Sequence, residues 1–426
     1  MPPFYDEVLG TVNAAPTYES RLNRKYLPEL DGLRAISVLF VVSQHMHDRV
    51  WGWLAGGLGV VVFFVLSGYL ITTLALREES HRGSVSLAAF YIRRSFRIFP
   101  LYYVILMAYC ILIFVLHIDY DRKAPTLRGA MPWYLLYMQE VPFFYGLVDG
   151  DGVMQRVNIP LYQSWSLGIE EKFYLVWPLL AFALWRGKRA TRVVGTIGLT
   201  LAFGLVPIVA QGSFGSCLFP YYYITIGCLC ALLLQNRLSR EYLRPLGNGI
   251  WVYLALMFVL VVHFLHPWLR LFRSGDARLL TYSADVVYAL AVALFLMSVV
   301  LGDGVVQRAL RWPPLVFIGK MSYGIYLVHL LTLNVAEKAV NRLWPPQDPS
   351  PTLNVASVVA LMLACIFSVI AAYVLHRVIE KPCIEFGRRW SKRIMDQGTT
   401  QPIQLAVGAE RSVSRPERPE VPAGKM

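Results

Sequence analysis

Charge is scarce in this chain: Asp, Glu, Lys and Arg make up 16% of its 426 residues, against about a quarter in ordinary soluble domains. The signatures of several soluble enzyme classes are missing as well. No serine sits in a GxSxG elbow, which argues against the α/β-hydrolase kind of nucleophile. GGLGVV at 56–61 falls short of the dinucleotide GxGxxG, no GKS or GKT phosphate loop is present, and no histidine is followed five residues later by aspartate. The six cysteines (Cys110, Cys217, Cys228, Cys230, Cys365 and Cys383) form no CxxC pair. Neither a metal-type spacing nor a disulfide framework is indicated, and no metal is expected. No cleavable leader is read either, because residues 1–25 are polar and the first apolar run is long enough for a full span. No internal repeat is visible.

What the chain has is grease. Apolar residues make up 56% of it, and its mean hydropathy is +0.49. A helix needs about 20 mostly apolar residues to cross a bilayer. Candidate spans lie near 33–50, 56–76, 98–117, 166–185, 193–210, 216–235, 250–266, 281–301, 314–334 and 355–376. The expected fold is therefore an all-α polytopic membrane protein with about ten transmembrane helices around a central cavity. Residues 131–147, MPWYLLYMQEVPFFYGL, are aromatic but short, and read as an interfacial or re-entrant element. One membrane domain is expected over 26–392. A cytoplasmic tail precedes it at 1–25, and a Pro-, Gly- and charge-rich tail at 393–426 is expected to be disordered.

Orientation follows from the basic residues. With the N-terminus inside, the inner segments hold 23 Lys and Arg near the spans and the outer loops hold 10. Both termini are expected in the cytoplasm, with the chain in the cytoplasmic (inner) membrane. The net charge of +13 is accounted for by these inner-loop residues, so no nucleic-acid partner is expected.

Polar groups inside apolar spans are costly, and so are candidates for function. In DGLRAISVLFVVSQHM, Arg34 and His45 lie 11 residues apart. On a helix that spacing puts them within about 20° of one face and about 16 Å along the axis. Histidine suits proton transfer near neutral pH, although a core histidine bonded to a carbonyl is the blander alternative. In FYIRRSFRIFP, Arg94 and Arg97 stand one turn apart and can converge on one anion, and bidentate arginine suits phosphate; an anchor on lipid head groups is the alternative. In SWSLGIEEKFYLVWP, one of Glu170 and Glu171 points inward, while Trp165 fits either a binding wall or an aromatic belt. In FIGKMSYGIYLVHL, Tyr323, Tyr326 and His329 recur every three residues as a polar stripe, which serves either a cavity wall or a helix contact.

Together these stretches resemble the membrane acyltransferase 3 family of bacterial polytopic O-acyltransferases over about residues 26–390. DGLRA…H is similar to the family's first span at Arg34 and His45, and FFVLSGYLIT (63–72) to its second. RSFRIFPLY (94–102) is similar to its Arg-x-x-Arg element at Arg94 and Arg97. WSLGIEEKFYLVWP is similar to an element that selects Glu170 over Glu171. SYGIYLVH is similar to a late span at Ser322, Tyr323, Tyr326 and His329, and VIEKP (378–382) to the element that ends the domain. The extra extracytoplasmic SGNH hydrolase-like domain of some relatives is not recognised in this sequence.

The resemblance implies an acyl-CoA donor, acetyl-CoA in the common case, and a hydroxyl-bearing acceptor, with a carbohydrate expected. It implies that Arg34, Arg94 and Arg97 hold the donor's phosphates and that His45 is the general base, with Glu170 orienting or charge-balancing it. Tyr323, Tyr326, His329 and Trp165 would then line the acceptor side. Other readings stand beside this one: O-acylation of a small hydrophobic metabolite such as a macrolide, a glycan transporter or exporter, or a membrane scaffold whose buried charges hold helices together.

Overall fold

A computed structural model of the chain describes residues 24, 26–46, 49–148, 154–155, 159–210, 212–271, 278–345 and 354–397. The tail expected at 1–25 lies outside the described residues except for Arg24, and the one at 393–426 does so from 398 onward. In chain order the helices are α1 (Pro28–Gln44), α2 (Leu58–Arg82), α3 (Leu87–Cys110), α4 (Tyr120–Leu135), α5 (Glu140–Tyr145), α6 (Trp165–Pro178), α7 (Arg189–Val209), α8 (Ser213–Leu218), α9 (Pro220–Gln235), α10 (Arg237–Leu243), α11 (Gly249–Leu271), α12 (Arg278–Leu301), α13 (Val305–Leu310), α14 (Pro313–Lys320), α15 (Ser322–Leu343), α16 (Val355–Leu375) and α17 (Lys381–Gln397). Between α5 and α6, Leu147–Val148 pairs antiparallel with Met154–Gln155. That ladder is the one departure from all-helical structure among the described residues.

Each of the ten expected spans falls on helix. Among the described residues, seven helices are long and apolar enough to cross a membrane, or eight when α14 and α15, bent by 77° where they meet, count as one. The two that fall short are α1 and α6. Helix α1 has 17 residues and carries Glu29, Asp31 and Arg34, and α6 carries Glu170, Glu171 and Lys172 in a row. These are the two helices that bring the candidate histidine and carboxylate.

The bundle is apolar outward, with small residues where helices approach closely. Val194, Ile197, Leu201 and Leu205 on α7 are exposed, as are Leu254, Met257, Val261 and Leu265 on α11 and Val358, Met362, Ile366 and Ile370 on α16. A spacing of three to four puts each set on one helix face, and a greasy outer face is what hydrocarbon requires. The buried face of α16 is Ser357, Ala360, Ala364, Ser368 and Ala372, and it packs on α15. Small residues let two helices approach without help from the hydrophobic effect. Helices α2 and α9 cross at close range. There a Cβ on Gly68 would lie 1.9 Å from the Ile224 carbonyl oxygen, and one on Gly227 would lie 2.0 Å from that of Val65.

Two further devices set the site. Pro28 opens α1 with Glu29 and Asp31 in its first turn, which suits both the missing proline N–H and the helix dipole. A Cβ on Gly319 would lie 1.9 Å from the Asp31 carbonyl oxygen, so α14 seats directly on the start of α1. The segment from α4 to α6 is tied to α3 by tyrosine hydroxyls: Tyr102 donates to Tyr134 O at 3.1 Å and Tyr103 to Leu135 O at 3.0 Å. Tyr134 in turn donates to Pro160 O at 2.7 Å.

Candidate functional site

Helices α1, α2, α3, α6 and α15 enclose one cavity, and Arg34, Arg94, Arg97, Glu170, Tyr323 and Tyr326 line it together. Sequence distance hid this meeting, because these residues come from four separate helices. Arg94 and Arg97 are adjacent on α3 as their spacing demands. Their neighbour Arg93 turns away and pairs with Glu78 at 2.8 Å. Of the two glutamates, Glu170 lines the cavity and Glu171 does not.

Glu170 is held from two sides. Ser67 Oγ donates to its Oε1 at 2.9 Å, and the Tyr174 hydroxyl donates to its Oε2 at 3.3 Å. The guanidinium of Arg94 lies 4.4 Å above the Tyr174 ring, so cation, ring and carboxylate form one stack. Arg34 contacts Asp31 at 3.6 Å. Arg97 forms neither an ion pair nor a hydrogen bond among the described residues, which leaves its guanidinium open to a ligand.

Lys320, which the sequence reading did not single out, supplies a fourth cation to the lining. It stands at the end of α14, its ammonium 5.3 Å from the centre of the Tyr26 ring. The Tyr26 hydroxyl donates to Asp31 Oδ2 at 2.5 Å. Burial and the Asp31 carboxylate together push the Tyr26 phenol well above its ordinary value, so it stays a donor. Four cations therefore face one lining carboxylate, and the cavity is built to receive an anion carrying several charges. The only sequence signal at Lys320 was a basic residue two positions before Ser322, where an inside-positive anchor is the ordinary expectation.

The histidines sit one layer away. Helix α1 ends at Gln44 and His45 is its cap residue, at φ −93°. His45 therefore does not share the cavity face with Arg34, as ideal helical spacing had suggested, and neither it nor His329 lines that cavity. The two rings meet each other instead, with His329 Nε2 3.3 Å from His45 Nδ1. Tyr326 connects the layers. It lines the cavity, its ring centre is 5.8 Å from that of His329, and its hydroxyl donates to Gln163 O at 2.7 Å while accepting from Ser166 Oγ at 2.7 Å. Tyr323 donates to Ile98 O at 2.7 Å, next to Arg97. Trp165 is set apart from these, stacked on Phe143 at 4.8 Å and edge-on to Phe144 at 5.3 Å. Among the described residues, no three His, Cys, Asp or Glu side chains gather as a metal site.

The family described as Acyltransferase domain matches residues 27–377. The Putative peptidoglycan O-acetyltransferase YrhL of Bacillus subtilis (strain 168) is 28% identical over 395 residues, covering 88% of this chain and 58% of the relative. Peptidoglycan O-acetyltransferase OatA of Listeria monocytogenes serovar 1/2a is 30% identical over 353 residues, covering 76% of this chain and 53% of the relative. Putative O-acetyltransferase SACOL0978 of Staphylococcus aureus (strain COL) is 29% identical over 335 residues, covering 73% and 51%. The chain thus spans between half and three fifths of the length of these relatives. No solved structure matches it.

Proposed function

The chain belongs to the Acyltransferase domain family, and from that premise we propose that it moves an acetyl group from acetyl-CoA, on the cytoplasmic side of the inner membrane, to a hydroxyl of a glycan. The observation that carries this reading is the cavity where Arg34, Arg94, Arg97 and Lys320 converge, one tyrosine away from a pair of histidines. Guanidinium groups suit phosphate oxygens, with two parallel N–H donors each. The nucleotide end of the donor rests among these cations, and the thioester extends past Tyr326 toward His45. Glu170, fixed by Ser67 and Tyr174, keeps Arg94 in place by charge.

His45 then acts as general base. Its Nε2 takes the proton of the acceptor hydroxyl while the oxygen attacks the thioester carbonyl. The new C–O bond forms, the C–S bond breaks, and the proton passes to the departing sulfur as free CoA. Two relatives are named as peptidoglycan O-acetyltransferases, one of them putatively, which supports a glycan acceptor.

The test follows release of free CoA from acetyl-CoA by purified protein in lipid, against glycan and small hydrophobic acceptors. Release that requires a glycan and falls by about 10²–10⁴ in His45→Ala, with expression and melting temperature matched, is the expected result. Full turnover in His45→Ala would move the base elsewhere.

A further inference from the structure

His329 was expected to line the acceptor side, but its side chain is wholly enclosed, at 0% exposure. A group with no surface to offer does not touch a substrate. Its contacts indicate another task. His329 Nδ1 stands 2.7 Å from Tyr326 O, and a carbonyl oxygen only accepts, so that nitrogen carries the hydrogen. In the neutral ring Nε2 is then the lone-pair nitrogen, and it faces His45 Nδ1 at 3.3 Å. His45 Nδ1 also stands 2.8 Å from Val41 O. Two acceptors thus converge on His45 Nδ1, which must be its N–H, and His45 Nε2 is left with the free lone pair.

We propose that His329 is a positioning residue for His45. The Val41 carbonyl, at 2.8 Å, fixes the Nδ1–H form; His329 is the second acceptor, which holds the ring in place and receives that N–H more strongly once His45 carries a proton. The inference rests on the acyl-transfer reading for its kinetic consequence but not for its geometry. His329 gains and loses no proton. The hydroxyl proton goes to His45 Nε2 and on to the leaving sulfur, while His329 Nε2 only accepts a hydrogen bond. A serine–histidine site uses a carboxylate for this orienting task. Here a neutral imidazole does it, in surroundings where a buried carboxylate would need its own compensation.

Two substitutions separate positioning from the alternatives. His329→Gln keeps an acceptor at the end of a side chain of similar reach, whereas His329→Leu removes it. In lipid, with acetyl-CoA as donor and peptidoglycan oligosaccharides as acceptor, the Gln variant is expected within about threefold of wild-type kcat. The Leu variant is expected to fall about 10- to 100-fold, the loss of one hydrogen bond to a charged group, with both KM values unchanged. A raised acceptor KM at constant kcat would make His329 a substrate contact and overturn the proposal. Equal losses in Gln and Leu would also overturn it, since packing alone would then explain them. A second readout needs no turnover: ¹⁵N spectra of histidine-labelled protein in bilayers, with His45 assigned through His45→Ala. His45 is expected as the Nδ1–H form in all three proteins, and its protonation midpoint is expected to stay in place in Gln and to fall by about one pH unit in Leu, where the charged ring loses an acceptor. An unchanged midpoint in Leu overturns the inference, whereas absence of turnover in wild type with the expected shift of the midpoint overturns only the acyl-transfer reading.

Discussion

At the scale of single residues, arginines four positions apart on one helix have different work. Arg93 is spent on Glu78, at 2.8 Å, while Arg97 faces the cavity without a partner among the described residues. Arg97→Ala should raise the apparent KM for acetyl-CoA about tenfold while moving kcat less. Arg93→Ala should leave both within about twofold and cost at most about 1 kcal/mol of stability, as partly exposed pairs do. Steady-state kinetics on the two variants checks this; equal effects would remove the distinction. The i, i+3 spacing of Arg94 and Arg97 was legible in the sequence because one helix fixes it. The meeting of His45 with His329 was not, since 284 positions separate them and local periodicity carries no information across helices. The stacking of Trp165 on Phe143 was not legible for the same reason, because Phe143 belongs to another helix.

At the scale of elements, close helix crossings decide which residues face inward. At Gly227 a Cβ would press to 2.0 Å from the Val65 carbonyl oxygen, and backbone cannot step aside as a side chain can. Gly227→Ala should force α2 and α9 apart and destabilise the protein by about 1–3 kcal/mol. Ser67, which holds Glu170, lies on α2 one residue before Gly68, so activity should fall along with stability. Gly198 on α7 has nothing within 4 Å of the same built atom, and Gly198→Ala should be neutral or stabilising by up to about 1 kcal/mol. Thermal unfolding in matched detergent compares the two. The seven helices long and apolar enough to cross a membrane were legible as apolar runs, because length and hydropathy suffice for them. The 77° break between α14 and α15 was not, since no proline or glycine stands at Met321 to announce it.

At the scale of the whole molecule, the bilayer selects which surface must be greasy. Leu201 stands 60% exposed on α7 in a stripe with Val194, Ile197 and Leu205. Leu201→Arg places a charge against hydrocarbon at a cost of about 2.5–3.5 kcal/mol on insertion scales. The expected outcome is a marked loss of membrane-integrated protein after alkaline extraction, with Leu201→Phe integrating normally. Equal integration of both would mean that α7 does not face lipid. The same solvent logic explains why α1 and α6 tolerate Arg34 and Glu170, whose side chains meet a cavity and one another's neighbours rather than acyl chains. The break before α15 carries a consequence for that cavity beyond its side chains. Ser322 and Tyr323, the first residues of α15, lie on the cavity wall, so the aligned peptide units of a 22-residue helix begin there. Such a terminus acts as about half a positive elementary charge. No substitution removes it, so a variant stripped of Arg34, Arg94, Arg97 and Lys320 would still hold a partial positive charge built from amide bonds alone, set against Glu170 on the same lining.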